Sequence, residues 1–131
     1  MGFQFRLQAV QKVQAFQRDE KKQTLAELIQ QQNELAEQLE RLEEKKSQSR
    51  NERAKWLAAG QLQMERLQQY HLFESHLQQQ IETLRQAQAQ LQRQIETQRN
   101  SVLESEREVK KFEKLEEKQR EAYRKLHPEK D

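Results

Sequence analysis

The sequence predicts an all-α fold, an antiparallel two-helix coiled-coil hairpin with a rod-like shape. Apolar residues recur at alternating spacings of three and four, which is the pattern of a coiled-coil seam. Glycine occurs only at Gly2 and Gly60 and proline only at Pro128, which leaves room for very few turns. Hydrophobic residues make up 33% of the chain and charged residues 35%, a balance that favours a narrow seam over a thick core.

The first helix is expected from about residue 3 to residue 57. Its clearest seam runs through Leu25, Leu28, Leu35, Leu39 and Leu42, with Gln32 interrupting it. Upstream lies a second apolar stripe whose phase is offset from this seam, formed by Phe3, Leu7, Val10, Val13 and Phe16. In a hairpin we expect this stripe to meet Val109 and Phe112 of the second helix.

A reversal of the chain is expected at residues 58–61, around the single interior glycine. Glycine ends a helix readily because it accepts the left-handed conformation, and Gly60 follows the segment Trp56-Leu57-Ala58-Ala59. The heptad phase is nevertheless the same on both sides of Gly60. One glycine inside a helix costs only about 1 kcal/mol, so a single long helix that dimerises in parallel stays open as an alternative.

The second helix is expected from about residue 62 to residue 126. It should stop at His127-Pro128, because proline disfavours helix in the residue before it. Its a and d positions are mostly apolar and hold Ile81, Leu84, Leu91, Ile95, Val102, Val109, Phe112, Tyr123 and Leu126. β-Branched residues at a with leucine at d favour two-stranded packing. The whole chain, residues 1–131, is expected to form a single coiled-coil domain.

The sequence argues against catalysis, metal binding and nucleic-acid binding. It has no cysteine, no glycine-rich phosphate loop and no nucleophile motif, so neither an enzyme nor a cofactor is expected. His71 and His76 are five residues apart, whereas metal-binding pairs on a helix are three or four apart. The 24 basic and 22 acidic residues are intermixed, while nucleic-acid binders concentrate positive charge. No apolar run is long enough for direct membrane insertion.

Surplus apolar residues near the reversal point instead to protein binding. A two-stranded seam accepts about two positions in seven, and this region holds more than that: Trp56, Leu57, Leu62, Met64, Leu67, Tyr70, Leu72, Phe73 and Leu77. Leu72 and Phe73 are left facing elsewhere, either in a wider seam or in an exposed patch that anchors a partner. A second surplus around Phe3, Phe5 and Phe16 puts a candidate binding region at the other end, as in a stalk or linker.

Three segments, taken in order, resemble the FliJ family, the coiled-coil stalk proteins of the flagellar type III export apparatus. The first is Phe3-Gln4-Phe5-Arg6-Leu7, which is similar to the family's F-x-F-x-L opening. The second is Tyr70-His71-Leu72-Phe73-Glu74-Ser75-His76-Leu77 followed by Ile81, and the third runs from Arg107 to Leu115 and is followed by Tyr123. The resemblance spans the whole chain.

The resemblance implies an antiparallel hairpin that binds the hexameric export ATPase and the cytoplasmic domain of the export gate and helps to escort export chaperones. It implies a cytoplasmic protein, peripheral at the cytoplasmic face of the inner membrane. The expected gate surface comprises Gln38, Leu42, Tyr70, Phe73 and Leu77, although Lys45 and Ser49 stand where the family has aromatic residues. For ring binding we expect Phe3, Phe5, Arg6, Arg107, Lys110, Lys111 and Lys114. A generic tether and an injectisome stalk remain as alternatives.

Overall fold

The computed structural model describes residues 4–61 and 63–128, which form two long helices. Helix α1 is Gln8–Ala58 and helix α2 is Met64–Leu126, and no strand occurs within the described ranges. The helices run antiparallel, since Gln11 near the start of α1 contacts Glu116 of α2 and Arg53 near its end contacts Glu74. The predicted hairpin is therefore confirmed, and the alternative of one continuous helix is wrong.

The reversal is built on Gly60, as predicted. Its φ of 70° lies in the left-handed region, and an added Cβ would meet nothing within 4 Å, so the backbone angle and not crowding requires glycine. The Gly60 N–H donates to the Leu57 carbonyl at 3.0 Å and the Gln61 N–H to the Trp56 carbonyl at 3.1 Å. These two bonds form a Schellman motif, which satisfies carbonyls that the end of α1 leaves open.

The contacts along the chain divide into two compact units. The terminal unit consists of Met1–Glu27 and Ile95–Asp131, and the bend unit of Leu28–Gln94. Each unit contains one stretch of α1 and one stretch of α2. The prediction that residues 1–131 form a single domain stays a prediction.

The predicted heptad seam coincides with the buried faces of both helices except at its C-terminal end, where the predicted seam residue Leu126 is 76% exposed. In the bend unit, Leu77, Ile81 and Leu91 of α2 are buried, and the seam leucines of α1 are half-buried. In the terminal unit, Ile95, Val102 and Val109 are buried. Full burial of an aliphatic side chain of this size contributes about 1.5–3 kcal/mol, so each of these positions matters for the stability of the helix pair.

Several polar residues at seam positions form hydrogen bonds across the helix pair. Gln32 Nε2 donates to Gln92 Oε1 and Lys46 Nζ donates to Gln78 Oε1 in the bend unit. In the terminal unit, Gln98 Nε2 donates to the Lys21 carbonyl at 3.0 Å. Because buried polar groups cost free energy when they are unpaired, these bonds allow the register to continue through the gaps in the apolar pattern.

The predicted packing of Val13 and Phe16, two members of the N-terminal stripe, against Val109 and Phe112 is wrong. Helix α1 keeps one unbroken register, so Gln11 and Gln14 take the half-buried seam positions instead. Val13 and Phe16 follow these positions by two residues, about 200° around the helix, and their side chains are 53% and 64% exposed. The Gln11 amide compensates at the seam by donating to Glu116 Oε2 at 3.0 Å.

Both helices begin later than the sequence predicts. The described residues before Gln8 are not helical, yet the Phe5 side chain is only 5% exposed. In a continued helix Phe5 would stand two residues before the seam position of Leu7 and would face away from α2. Leaving the helix allows the ring to be buried. The second helix begins at Met64 after the non-helical Gln63, and the predicted first residue, Leu62, lies outside the described residues.

Candidate protein-binding surfaces

A groove crosses one face of the bend unit and contains two of the predicted gate residues. It has a volume of about 590 Å³ and is lined by Gln38, Arg41, Leu42, Lys45, His76, Gln79, Gln80, Thr83 and Leu84. The leucines supply an apolar floor, and Arg41 and Lys45 supply positive charge. An elongated depression of this kind, apolar with a polar rim, is suited to a peptide segment of a partner.

A second depression, the aromatic cleft, lies between the end of α1 and the start of α2. It measures about 480 Å³ and is lined by Glu52, Trp56, Arg66, Gln69, Tyr70 and Phe73. A smaller depression of about 330 Å³ shares Glu52, Tyr70 and Phe73 with it and reaches Lys45, which also lines the groove. Four of the five predicted gate residues, Gln38, Leu42, Tyr70 and Phe73, therefore lie in adjoining depressions.

The fifth predicted gate residue, Leu77, takes part in the seam. Its side chain is 3% exposed, so it stabilises the helix pair and offers almost no surface to a partner. Leu72 and Phe73 face outwards, as predicted, with 72% and 48% of their side chains exposed. This exposure favours the patch that anchors a partner over the wider seam.

Lys45 and Ser49, where the family resemblance leads one to expect aromatic residues, have different environments. Lys45 is exposed between the groove and the smaller depression. Ser49 is 6% exposed, and its Oγ has no hydrogen-bond partner within the described part of the chain. At these two positions the first-helix side of the predicted gate surface thus has a cation and a buried hydroxyl in place of aromatic rings.

An ion cluster between the last part of α1 and the first part of α2 was not predicted. Glu74 is only 8% exposed, and its carboxylate accepts bonds from Arg53 Nε at 3.1 Å and Arg53 Nη2 at 3.3 Å. Arg50 Nε adds an ion pair to the same carboxylate at 3.8 Å. Arg53 could have indicated this cluster from the sequence alone, because a charged residue at a heptad seam position needs a partner on the facing helix.

The predicted basic residues of the terminal unit form one strip on α2. Arg107, Lys111 and Lys114 are all exposed, and each follows a seam position by two residues, so they lie on the face turned away from α1. Lys110 flanks them, and Lys118, which was not among the predicted residues, continues the same spacing. None of these five cations forms an ion pair within residues 4–61 and 63–128. We call Arg107, Lys110, Lys111, Lys114 and Lys118 the basic strip.

The predicted N-terminal part of the ring-binding surface is only partly retained. Phe3 lies outside the described residues. Phe5 is buried and Arg6 is exposed. The exposed apolar surface of this region comes instead from Val10, Val13 and Phe16.

Sites for other chemistry are limited to isolated residues. His71 and His76 are exposed, and the described residues include no group of three or more side chains that could hold a metal ion.

Desolvation of the half-buried Tyr70 raises the pKa of its hydroxyl above the ordinary 10.0, and the Glu52 carboxylate nearby adds to the increase. Neither helix, as far as it is described, has a stretch apolar enough to cross a membrane.

In a comparison with protein families, residues 3–131 match the family described as "Flagellar FliJ protein". The matched range includes both helices and the reversal between them. No curated protein and no solved structure matches the chain.

Proposed function

Because the chain belongs to the flagellar FliJ protein family, whose members are flagellar export-related proteins, we propose that it is a non-catalytic stalk that couples the export ATPase to the export gate. The observation that carries the proposal is the family match over residues 3–131 together with the two-helix hairpin. The family description is flagellar, which favours the flagellar apparatus over an injectisome or a generic tether.

The terminal unit supplies the surface for the hexameric ATPase in this proposal. The basic strip has five exposed cations without ion pairs in the described ranges, so binding requires no internal contact to be broken. Such a strip fits an acidic surface of the partner and speeds association through long-range attraction. Exposed Val13 and Phe16 provide apolar area on α1 of the same unit. Buried Phe5 is assigned to folding rather than to contact.

The bend unit supplies the surface for the cytoplasmic domain of the gate. Gln38 and Leu42 line the groove, and Tyr70 and Phe73 line the aromatic cleft. Aromatic side chains at the centre of an interface often carry most of its binding energy, so Phe73 is the proposed anchor. Leu77 supports this surface from the seam. We also propose that the protein helps to escort export chaperones and that it is located at the cytoplasmic face of the inner membrane.

The test is to add the purified protein to the export ATPase and follow hydrolysis and ring assembly. We expect the hydrolysis rate to rise and the hexamer to form at lower ATPase concentration. Light scattering on the same samples should show the protein bound to the ring. Absence of both binding and stimulation would contradict the proposed function.

A further inference from the structure

The aromatic cleft joins three kinds of aromatic ring to a carboxylate. Glu52 and Trp56 come from the last turns of α1, and Tyr70 and Phe73 come from the first turns of α2. The faces of aromatic rings carry partial negative charge and attract cations, most strongly at tryptophan. A carboxylate beside such rings adds a full negative charge, so the lining has the chemistry of a receptor for a cationic group.

The chain already places one of its own cations against this lining. The guanidinium carbon of Arg66 lies 5.9 Å from the centroid of the Trp56 ring. That distance is near the outer limit of about 6 Å for a cation–π contact, so the internal contact is weak. Arg66 also makes no ion pair within the described ranges, and it is free to yield the ring face to another cation. The cleft thus accommodates a guanidinium without being filled by one.

Glu52 supplies the negative charge of the site. Its carboxylate forms no ion pair with any lysine or arginine of the described residues, although it lies close enough to Tyr70 to raise the pKa of the hydroxyl. A tyrosine hydroxyl with a pKa above 10.0 is neutral near pH 7, so Tyr70 adds no second negative charge. An anionic ligand would meet Glu52 and the electron-rich ring faces, which disfavours that class of ligand.

We propose that the aromatic cleft binds an arginine or lysine side chain presented by a peptide segment of a partner protein. The cationic head pairs with Glu52 and stacks on the faces of Trp56 and Phe73, and Arg66 swings aside. The identification of that partner as the export gate rests on the proposed function, whereas the chemistry of the site does not.

The site can be tested with small probes, because Trp56 is the only tryptophan of the chain and reports on the cleft by fluorescence. The probe is an N-acetylated, C-amidated Gly-Ser-Arg-Ser-Gly peptide, and its control has citrulline in place of arginine. We expect saturable change in Trp56 emission with the arginine peptide and at least twofold weaker binding of the citrulline peptide. Equal affinities, or no saturable change with either peptide, would overturn the proposal.

Two variants should shift the affinity of the arginine peptide in opposite directions. Glu52→Gln removes the carboxylate and should weaken binding about two- to fivefold, as expected for one partly exposed ion pair. Arg66→Gln vacates the Trp56 face and removes a repelling charge, so binding should strengthen by about the same factor. Glu65→Gln and Lys55→Gln are matched controls, since they change exposed charges that do not line the cleft. If the control variants change the affinity of the arginine peptide by the same factors, the effects come from the overall charge of the protein, and the proposed cation site is wrong.

The partner is tested separately with the purified cytoplasmic domain of the gate. If the gate inserts a cation, Glu52→Gln should weaken its binding and reduce the salt dependence of its Kd, while Glu65→Gln should change neither. Gate binding that is insensitive to Glu52 would contradict the gate as donor of the cation. If the wild-type protein fails to bind the gate although the peptide results hold, the proposed function fails and the cation site stands.

Discussion

Arg53 of α1 holds the carboxylate of Glu74 of α2 through two hydrogen bonds, from Nε at 3.1 Å and from Nη2 at 3.3 Å. Glu74 is 8% exposed, so its charge is almost removed from water. A buried charge that loses its partner is costly, and two parallel bonds from one guanidinium fix the relative position of the two helices. The Arg53–Glu74 pair therefore helps to fix the register of α1 against α2 next to the reversal.

Arg53→Ala should lower the free energy of unfolding by about 1.5–3 kcal/mol, because the buried Glu74 carboxylate then retains only the longer contact to Arg50. Urea denaturation followed by circular dichroism measures this change. Arg93→Ala is the control, since Arg93 is exposed and has no ion pair within the described ranges, and it should stay within about 0.5 kcal/mol of the wild type. Equal stability of the two variants would show that the pair does not stabilise the fold.

Ser49→Ala should stabilise the bend unit by about 1 kcal/mol. The Ser49 hydroxyl is buried without a partner in the described chain, and removal of an unsatisfied polar group recovers its desolvation cost. Ser47→Ala serves as the control, because Ser47 is exposed and its hydroxyl can bond to water. The same urea denaturation experiment compares the two. A loss of stability in Ser49→Ala would indicate that the hydroxyl is satisfied in solution.

Phe16→Gln should change the free energy of unfolding by no more than about 0.5 kcal/mol, since 64% of this side chain is exposed on the face away from α2. Ile95→Ala in the same unit should cost about 2–4 kcal/mol, because Ile95 is 0% exposed. Thermal and urea unfolding of both variants measures the contrast. If Phe16→Gln lowers the free energy of unfolding as much as Ile95→Ala does, Phe16 packs against α2 as the apolar stripe alone predicts.

These contrasts show how far the sequence could be used to predict the fold. The spacing of Ile81, Ile95, Val102 and Val109 predicted the seam correctly, because helix geometry converts spacing directly into a common face. The stripe at Val13 and Phe16 was misassigned because an apolar pattern cannot show whether a polar residue such as Gln11 will find a partner on another helix. That outcome depends on the facing side chain, here Glu116, and not on local spacing.

The surfaces were less predictable than the fold. Leu77 was chosen as a gate residue by resemblance, although it lies one heptad before the seam residue Leu84 and is buried for that reason. The burial of Phe5 is shown only by three-dimensional packing, because Phe5 precedes the first helix. The basic strip was predicted in part, since its members share one helix and helical spacing alone places them together. The aromatic cleft draws on both sides of the reversal, and its assembly required the turn geometry at Gly60.

The pKa of Tyr70 provides a test of the cleft that is independent of any ligand. Partial burial raises this pKa above 10.0 and the Glu52 carboxylate adds to it, so the folded state favours the neutral phenol. The stabilisation is complete below the unfolded pKa of 10.0 and is lost as the pH rises through the higher folded value. The phenolate absorbance of the wild type minus that of Tyr70→Phe should titrate above pH 10.0, and Glu52→Gln should lower the midpoint. A midpoint at or below 10.0 would contradict the geometry of the cleft.

The most direct test of the proposed coupling role is to measure binding of both partners to two variants. Charge reversal at Lys110, Lys111 and Lys114 should weaken binding to the export ATPase more than tenfold and leave the Kd for the gate domain unchanged. Phe73→Ala should weaken gate binding about 30-fold, as expected for a 2 kcal/mol anchor, and leave ATPase binding unchanged. Loss of both activities in each variant, or of neither in both, would contradict a protein that binds its two partners through separate surfaces.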